Sequence, residues 1–178
     1  MNATRLTISL LSLLTIGRAF AGVNPDIPRT TSTVRTNSEV SPVANQIVAA
    51  HNAVRSKVGV PPLAWSDELA QAAQNWANRL VATGAFEHSK TGLYGENIFE
   101  LSGAGFSGNP VQVVSAWASE SENYQYLTNS CMGVCGHYTQ IVWRDTRAVG
   151  CGVAQDGKRE IWVCNYAPFG NIVGVKPY

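Results

Sequence analysis

Apolar positions recur with a helical period in the first two thirds of the chain and with a two-fold period in the last third. Ile47, His51, Val54 and Val58 fall at i, i+4, i+7 and i+11, one face of a helix that Gly59 and Pro61-Pro62 terminate. A second stripe, Leu69, Ala73, Trp76 and Leu80, starts after Ser66, a capping residue followed by Asp67 and Glu68 in the first turn, and closes at Gly84. Asn109-Pro110, a cap with proline behind it, opens a third helix with Val113, Trp117, Glu120 and Tyr124 on one face. Residues 94–101 read as a strand, followed by a Gly-rich loop over 102–108. After Gly136 the period becomes two. His137, Thr139, Ile141 and Trp143 would share one strand face, with Tyr138, Gln140 and Val142 on the other. Residues 148–154 and 160–166 form a hairpin around Gln155-Asp156-Gly157-Lys158, where Asp-Gly is a strong turn signal. Helices first and an antiparallel sheet later predict an α+β layered domain.

The first 21 residues stand apart from this pattern. Arg5 precedes a short apolar stretch over 6–16, and Ala19-Phe20-Ala21 has the form of a cleavage site, so 1–21 reads as a signal peptide. The apolar run is about half of the ~20 residues a membrane span requires, and no later segment is apolar enough to span a bilayer. Residues 22–43 are rich in Thr, Ser and Pro and poor in large apolar side chains, as expected of a disordered lead-in to a folded part over 44–178. The sole N-x-S/T sequon, Asn2-Ala3-Thr4, lies inside the signal.

Composition narrows the function classes. The 178 residues carry 13 Lys+Arg against 12 Asp+Glu, and loss of Arg5 and Arg18 with the signal leaves the mature chain close to neutral. There is no basic run, so no nucleic-acid partner is expected. With 45% apolar residues the chain is rich enough to bury a single core, and a monomer is expected. Secretion turns the four cysteines, Cys131, Cys135, Cys151 and Cys164, into disulfide candidates; a four-thiolate zinc site is the rival, but it lacks paired C-x2-C knuckles. Of three pairings, Cys131–Cys135 and Cys151–Cys164 suit the layout best, because Cys151 and Cys164 are nearly equidistant from the hairpin turn.

Few residues could carry chemistry. His51 lies on the apolar stripe of the first helix and reads as a packed core histidine. His88 follows Phe86 in a loop, and His137 adjoins Gly136. Glu120 falls on the face of Val113 and Trp117, where an unpaired carboxylate would cost several kcal/mol and must pair or take up a proton. Glu122, about 200° away on the helix, reads as a solvated charge. Glu96, in a largely apolar strand, raises the question posed by Glu120. Two readings remain open: a pair of structural, hydrogen-bonded acids, or two acids and two imidazoles meeting in one cleft.

Four segments resemble the CAP superfamily of cysteine-rich secretory, antigen-five and pathogenesis-related proteins. They are His51-Asn52-Ala53-Val54-Arg55 followed by Val60-Pro61-Pro62-Leu63, then Tyr94-Gly95-Glu96-Asn97-Ile98, then residues 136–143 (GHYTQIVW), then residues 164–171 (CNYAPFGN). Their order and spacing resemble the pathogenesis-related branch of plants and fungi. The resemblance implies an α-β-α sandwich with a central antiparallel sheet. It also implies a tetrad that falls here on His88, Glu96, Glu120 and His137, in which the two histidines hold zinc or another divalent ion weakly, the acids stand nearby, and no cofactor is required. Plant relatives usually have six cysteines; the positions of Ala85 and the hairpin turn lack them here. Sterol-binding relatives carry an aromatic-x-aromatic-x4-aromatic loop, and this chain has Tyr124 and Tyr126 but Cys131 at the third place.

The resemblance therefore implies a secreted lipid carrier with a defence- or effector-type role. Fatty acid would lie between the first and third helices, against Val48, Val54, Val111 and Val114, with sterol at the divergent Tyr124–Tyr126 loop. These valines could equally pack the sandwich alone. The alternative is a divalent-metal-assisted hydrolase using the His/Glu tetrad; no Ser or Cys nucleophile stands beside a base in the sequence, so no catalytic residue is assigned.

Overall fold

The computed structural model describes residues 41–103 and 108–178, so the expected signal peptide and nearly all of the expected lead-in lie outside the described residues. Helix α1 (Pro42–Lys57) begins two residues ahead of the expected start, because the Ser41 hydroxyl accepts from the Ala44 N–H at 3.2 Å and proline suits the first turn. Its buried side is Ala44, Ile47, His51 and Arg55, while Val54 is only partly buried. Strand β1 is the pair Ala64–Trp65. Helix α2 (Asp67–Thr83) is capped by Ser66 and ends at Gly84 with φ 73°, the left-handed geometry that glycine adopts without strain. Its buried side is Leu69, Ala73, Ala77 and Leu80; Trp76 lies at the margin, its indole donating to Glu87 O at 3.0 Å.

Strand β2 (Gly95–Ser102) is followed by α3 (Pro110–Ser119), whose start is a reciprocal capping box between Asn109 and Gln112. The helix stops at Ser119 and a 3-10 turn spans Glu120–Asn123, so Glu120 is a helix C-cap and Tyr124 lies beyond the helix, in strand β3 (Tyr124–Gln125). A short β4 (Ser130–Cys131) pairs with β3.

Residues 137–143, expected as a strand, form helix α4 (Gly136–Ile141) instead. Burial is continuous from Tyr138 to Trp143, so the alternation in polarity does not mark an exposed face. The buried polar side chains have partners: Thr139 donates to Asn171 Oδ1 at 2.6 Å, and Gln140 accepts from Gly170 N at 3.0 Å. The first turn is held by the Glu120 carboxylate, which accepts from His137 N at 3.0 Å and Tyr138 N at 3.3 Å. A cap supplied from a distant part of the chain leaves no local signal.

The hairpin forms as expected. Strands β5 (Ala148–Gln155) and β6 (Arg159–Ala167) pair antiparallel, with Cys151 directly opposite Cys164. Both expected disulfides, Cys131–Cys135 and Cys151–Cys164, are present. The sheet order is β1-β5-β6-β2, antiparallel except for the short parallel pairing of β1 with β5. Alternation on the central β6 separates two cores. Ile161 and Val163 join Ile98 under Ala73, Ala77 and Leu80 of α2, whereas Trp162, Cys164 and Tyr166 face Ile47, Val113, Val114 and Trp117 of α1 and α3. Helices thus cover both faces of a central sheet. Among the described residues no helix is long and apolar enough to cross a membrane.

Candidate functional site

The end of α3, the N-terminus of α4, strand β2 and the loop before it carry two carboxylate–imidazole pairs. The Trp76–Glu87 bond tethers the loop that presents His88. His88 Nδ1 lies 2.7 Å from Glu96 Oε1, which also accepts from Ser89 N at 3.0 Å. His88 is 55% exposed and the Glu96 side chain 6%. Hydrogen bonding to Glu96 raises the His88 pKa above its usual value, against a smaller opposing effect of burial. Burial also opposes ionisation of Glu96, but the bonds from His88 and Ser89 together outweigh it and hold that carboxyl below its ordinary value. Among the described residues, Glu96 Oε2 is buried without a hydrogen-bond partner.

In the second pair, His137 Nδ1 lies 2.6 Å from Glu120 Oε1, and the same carboxylate caps α4. The imidazole stacks on Trp117 with ring centroids 6.1 Å apart and an interplanar angle of 21°. Asn97 Nδ2 donates to His137 O at 3.1 Å. Adjacent residues of β2 therefore serve the two pairs: Glu96 holds the His88 ring, and Asn97 holds the His137 backbone.

Because carboxylates only accept when ionised, each pair fixes a tautomer with the proton on Nδ1 and a lone pair on Nε2. Among the described residues neither Nε2 has a hydrogen-bond partner. Nor does any group of three or more His, Cys, Asp or Glu among them stand close enough to share a metal ion. The four predicted residues therefore meet as two pairs, with each acid bound to its own histidine.

His51 lies outside these pairs, as expected. Fully buried, it bonds Ile47 O and the Tyr166 hydroxyl, both at 2.8 Å, and burial lowers its pKa to about 4. Tyr166 in turn accepts from Asn97 Nδ2 at 3.2 Å, so α1 is wired to the strand beneath the second pair.

A groove of about 390 Å³ opens between α1 and α3. Ala50, Ala53, Val54 and Lys57 form its α1 wall, facing Val111, Val114, Ser115 and Ala118 of α3. Both sets follow the i, i+3, i+4, i+7 spacing of one helix face. Three of the four expected groove valines are therefore together. Val48 is the exception: it lies about 240° round the axis from Val54 and does not line the groove. In the aromatic loop, Tyr124 is buried and donates to Asn129 Oδ1 at 2.8 Å. The Tyr126 ring is occupied by Tyr178, stacked at 4.8 Å, and by Lys176 Nζ at 4.2 Å. Cys131, at the third aromatic position, is tied to Cys135.

Sequence reasoning missed Lys57, Asn97, Tyr166 and Arg55. Lys57 was legible, being on the same stripe as Ala50 and Val54. The other three act through partners far along the chain: fully buried Arg55, besides bonding nearby Pro61 O, donates to Ile141 O, Trp143 O and Thr146 O at 2.7–3.1 Å.

The family model of the cysteine-rich secretory protein family, CAP, matches residues 48–166. The chain belongs to the CAP family. Pathogenesis-related protein PR-1 of Medicago truncatula is 48% identical to it over 138 residues, 75% of this chain and 78% of the relative. Pathogenesis-related protein 1 of Arabidopsis thaliana is 47% identical over 132 residues, covering 74% and 80%. Among solved structures, venom allergen-like protein 4 of Schistosoma mansoni superposes with a TM-score of 0.63 at 28% identity, covering 78% of this chain and 94% of that one. The structure of NaASP2 with Zn2+ superposes with a TM-score of 0.62 at 25% identity, covering 80% and 88%. The fold is thus shared with the solved venom allergen-like protein, and the sequence with plant pathogenesis-related proteins.

Proposed function

We propose that this CAP protein is an extracellular carrier that takes a fatty acid in the α1–α3 groove, in a defence- or effector-type role. The groove carries the reading: two facing helix stripes of small, mostly apolar residues make an acyl-sized slot, and Lys57 on the α1 wall supplies a cation for the carboxylate. Each methylene buried there contributes about 0.8 kcal/mol, so affinity should rise with chain length until the slot is full. The pathogenesis-related names of its relatives and the signal-like N-terminus support the role. Sterol is the less favoured lipid, because Tyr178 and Lys176 already engage the Tyr126 ring. The test is displacement of a fluorescent fatty acid by palmitate, with Val111→Trp filling the groove from an exposed position. Saturable displacement that Val111→Trp weakens is expected; no displacement from the unsubstituted protein overturns the reading.

The His88 and His137 pairs favour a second, compatible property, a weak exchangeable site for zinc or a similar divalent ion. Their Nε2 lone pairs suit such an ion, and carboxylates on the far nitrogens are the usual orienting partners of metal-bound imidazoles. The bound ion would supply Lewis acidity. Glu120 already accepts three N–H bonds and Glu96 two, so both acids act as orienting groups rather than free bases, which argues against the hydrolase alternative.

A further inference from the structure

A second cavity, sharing no residue with the α1–α3 groove, lies where the N-terminal ends of α1 and α3 meet the β5–β6 hairpin. It measures about 360 Å³; Val43, Pro110, Val153, Ala154 and Trp162 supply its apolar wall, and Asn109, Gln155 and Glu160 are its polar side chains. Glu160 is only 6% exposed. Its Oε1 accepts from Trp162 Nε1 at 2.6 Å and from Gly108 N at 2.8 Å. The approach is close: a Cβ at Gly108 would stand 2.7 Å from that oxygen, so a residue with a side chain there would displace the carboxylate.

Among the described residues, no cation forms an ion pair with Glu160 and nothing donates to its Oε2. Nor is Oε2 sealed in the interior, unlike Glu96 Oε2, Arg159 Nε and Asn165 Oδ1, which are buried without partners among the described residues. Arg159, the neighbour on β6, points the other way and spends its guanidinium on Leu80 O, Ala85 O and Gly84 O. A carboxylate buried with two neutral donors and no counter-charge is under-compensated. One that opens on a largely apolar cavity is complementary to a cation with an apolar body. With Oε1 filled by two donors, one oxygen remains, which suits the point charge of an ammonium rather than the two-pronged guanidinium.

We propose that this cavity is a binding site for small organic amines, with the ammonium on Glu160 and the apolar body against Trp162, Val153 and Pro110. The probe is 2-phenylethylammonium, compared with neutral 2-phenylethanol of matching shape. Binding is followed in ¹H–¹⁵N spectra by the Trp162 indole and Gly108 amide signals, the two groups that donate to Glu160. Saturable shifts of both signals are expected with the amine, with binding at least about tenfold weaker for the alcohol and for Glu160→Gln with the amine. Val43→Trp, at a position 46% exposed, narrows the mouth without touching the Glu160 bonds and should weaken the amine as well. Unmoved Trp162 and Gly108 signals up to about 10 mM amine, equal affinity for the alcohol, or undiminished binding by Val43→Trp would each overturn the proposal. Should Glu160→Gln fail to fold, the amine–alcohol comparison on the unsubstituted chain decides the matter. Palmitate displacement reads the other groove, so failure of either proposal leaves the other standing.

Discussion

Replacing His51 by glutamine should remove a pH dependence that the fold builds into its core. Ile47 O can only accept, so His51 carries its proton on Nδ1 and accepts the Tyr166 O–H at Nε2; the neutral ring is fully satisfied. Protonating Nε2 would bury a cation and turn the Tyr166 hydroxyl away, and burial accordingly lowers the pKa from 6.5 to about 4. The unfolded chain therefore binds a proton below pH 6.5 that the folded chain refuses until about pH 4, so stability falls as pH falls through that window. Linkage gives a loss of about 2 kcal/mol between pH 7 and pH 4.5. The His88–Glu96 pair is common to both proteins, so its own pH dependence cancels in the comparison. His88, with its raised pKa, contributes stability that is fully present below the unfolded value and lost only at higher pH. Glu96, with its lowered pKa, contributes stability that is lost only below its ordinary carboxyl value. Urea unfolding of both proteins at intervals from pH 7 to 4.5 is the assay. His51→Gln should start less stable but lose about 2 kcal/mol less over that range. Parallel profiles would refute the account of His51 as a neutral, satisfied core imidazole.

Further outcomes follow from other contacts. Arg55→Met should cost at least about 3 kcal/mol in urea unfolding, because buried carbonyls lose a charged donor; a loss below 1 kcal/mol, roughly that of an ordinary neutral hydrogen bond, would contradict this. Gly150→Ala should prevent native packing of α2, since its Cβ would run into the backbone of Ser66 and Ala70; a thermal midpoint equal to that of the parent would disprove it. Zinc binding by calorimetry should strengthen as pH rises through the raised His88 pKa, which lies above 6.5, because the ion needs the neutral ring. His88→Ala and His137→Ala should each abolish it, and metal binding that survives both would place the ion elsewhere.

Helix and strand positions that depend on nearby residues were legible along the chain. Ser66 and Asn109 cap the helices they precede, Gly84 closes one, and Asp156-Gly157 turns the hairpin, because each acts within a few residues of itself. The same symmetry about the turn placed Cys151 opposite Cys164. Glu120 stood out because a carboxylate on an apolar face must find a partner, and the four motif segments carried the family. Tertiary structure decided what distance along the chain conceals. Helix α4 exists where the polarity pattern suggested a strand because its first N–H groups are capped by Glu120, 17 residues earlier. The pairing of His88 with Glu96 and of His137 with Glu120, the burial of Arg55 beneath carbonyls more than 80 residues away, and the exposure of Glu160 to a cavity all depend on which faces come together. Local periodicity reports only that a side is buried. The partner that side meets is set by packing across the sheet, where hydrogen-bond and charge requirements must be met by whichever groups the fold delivers.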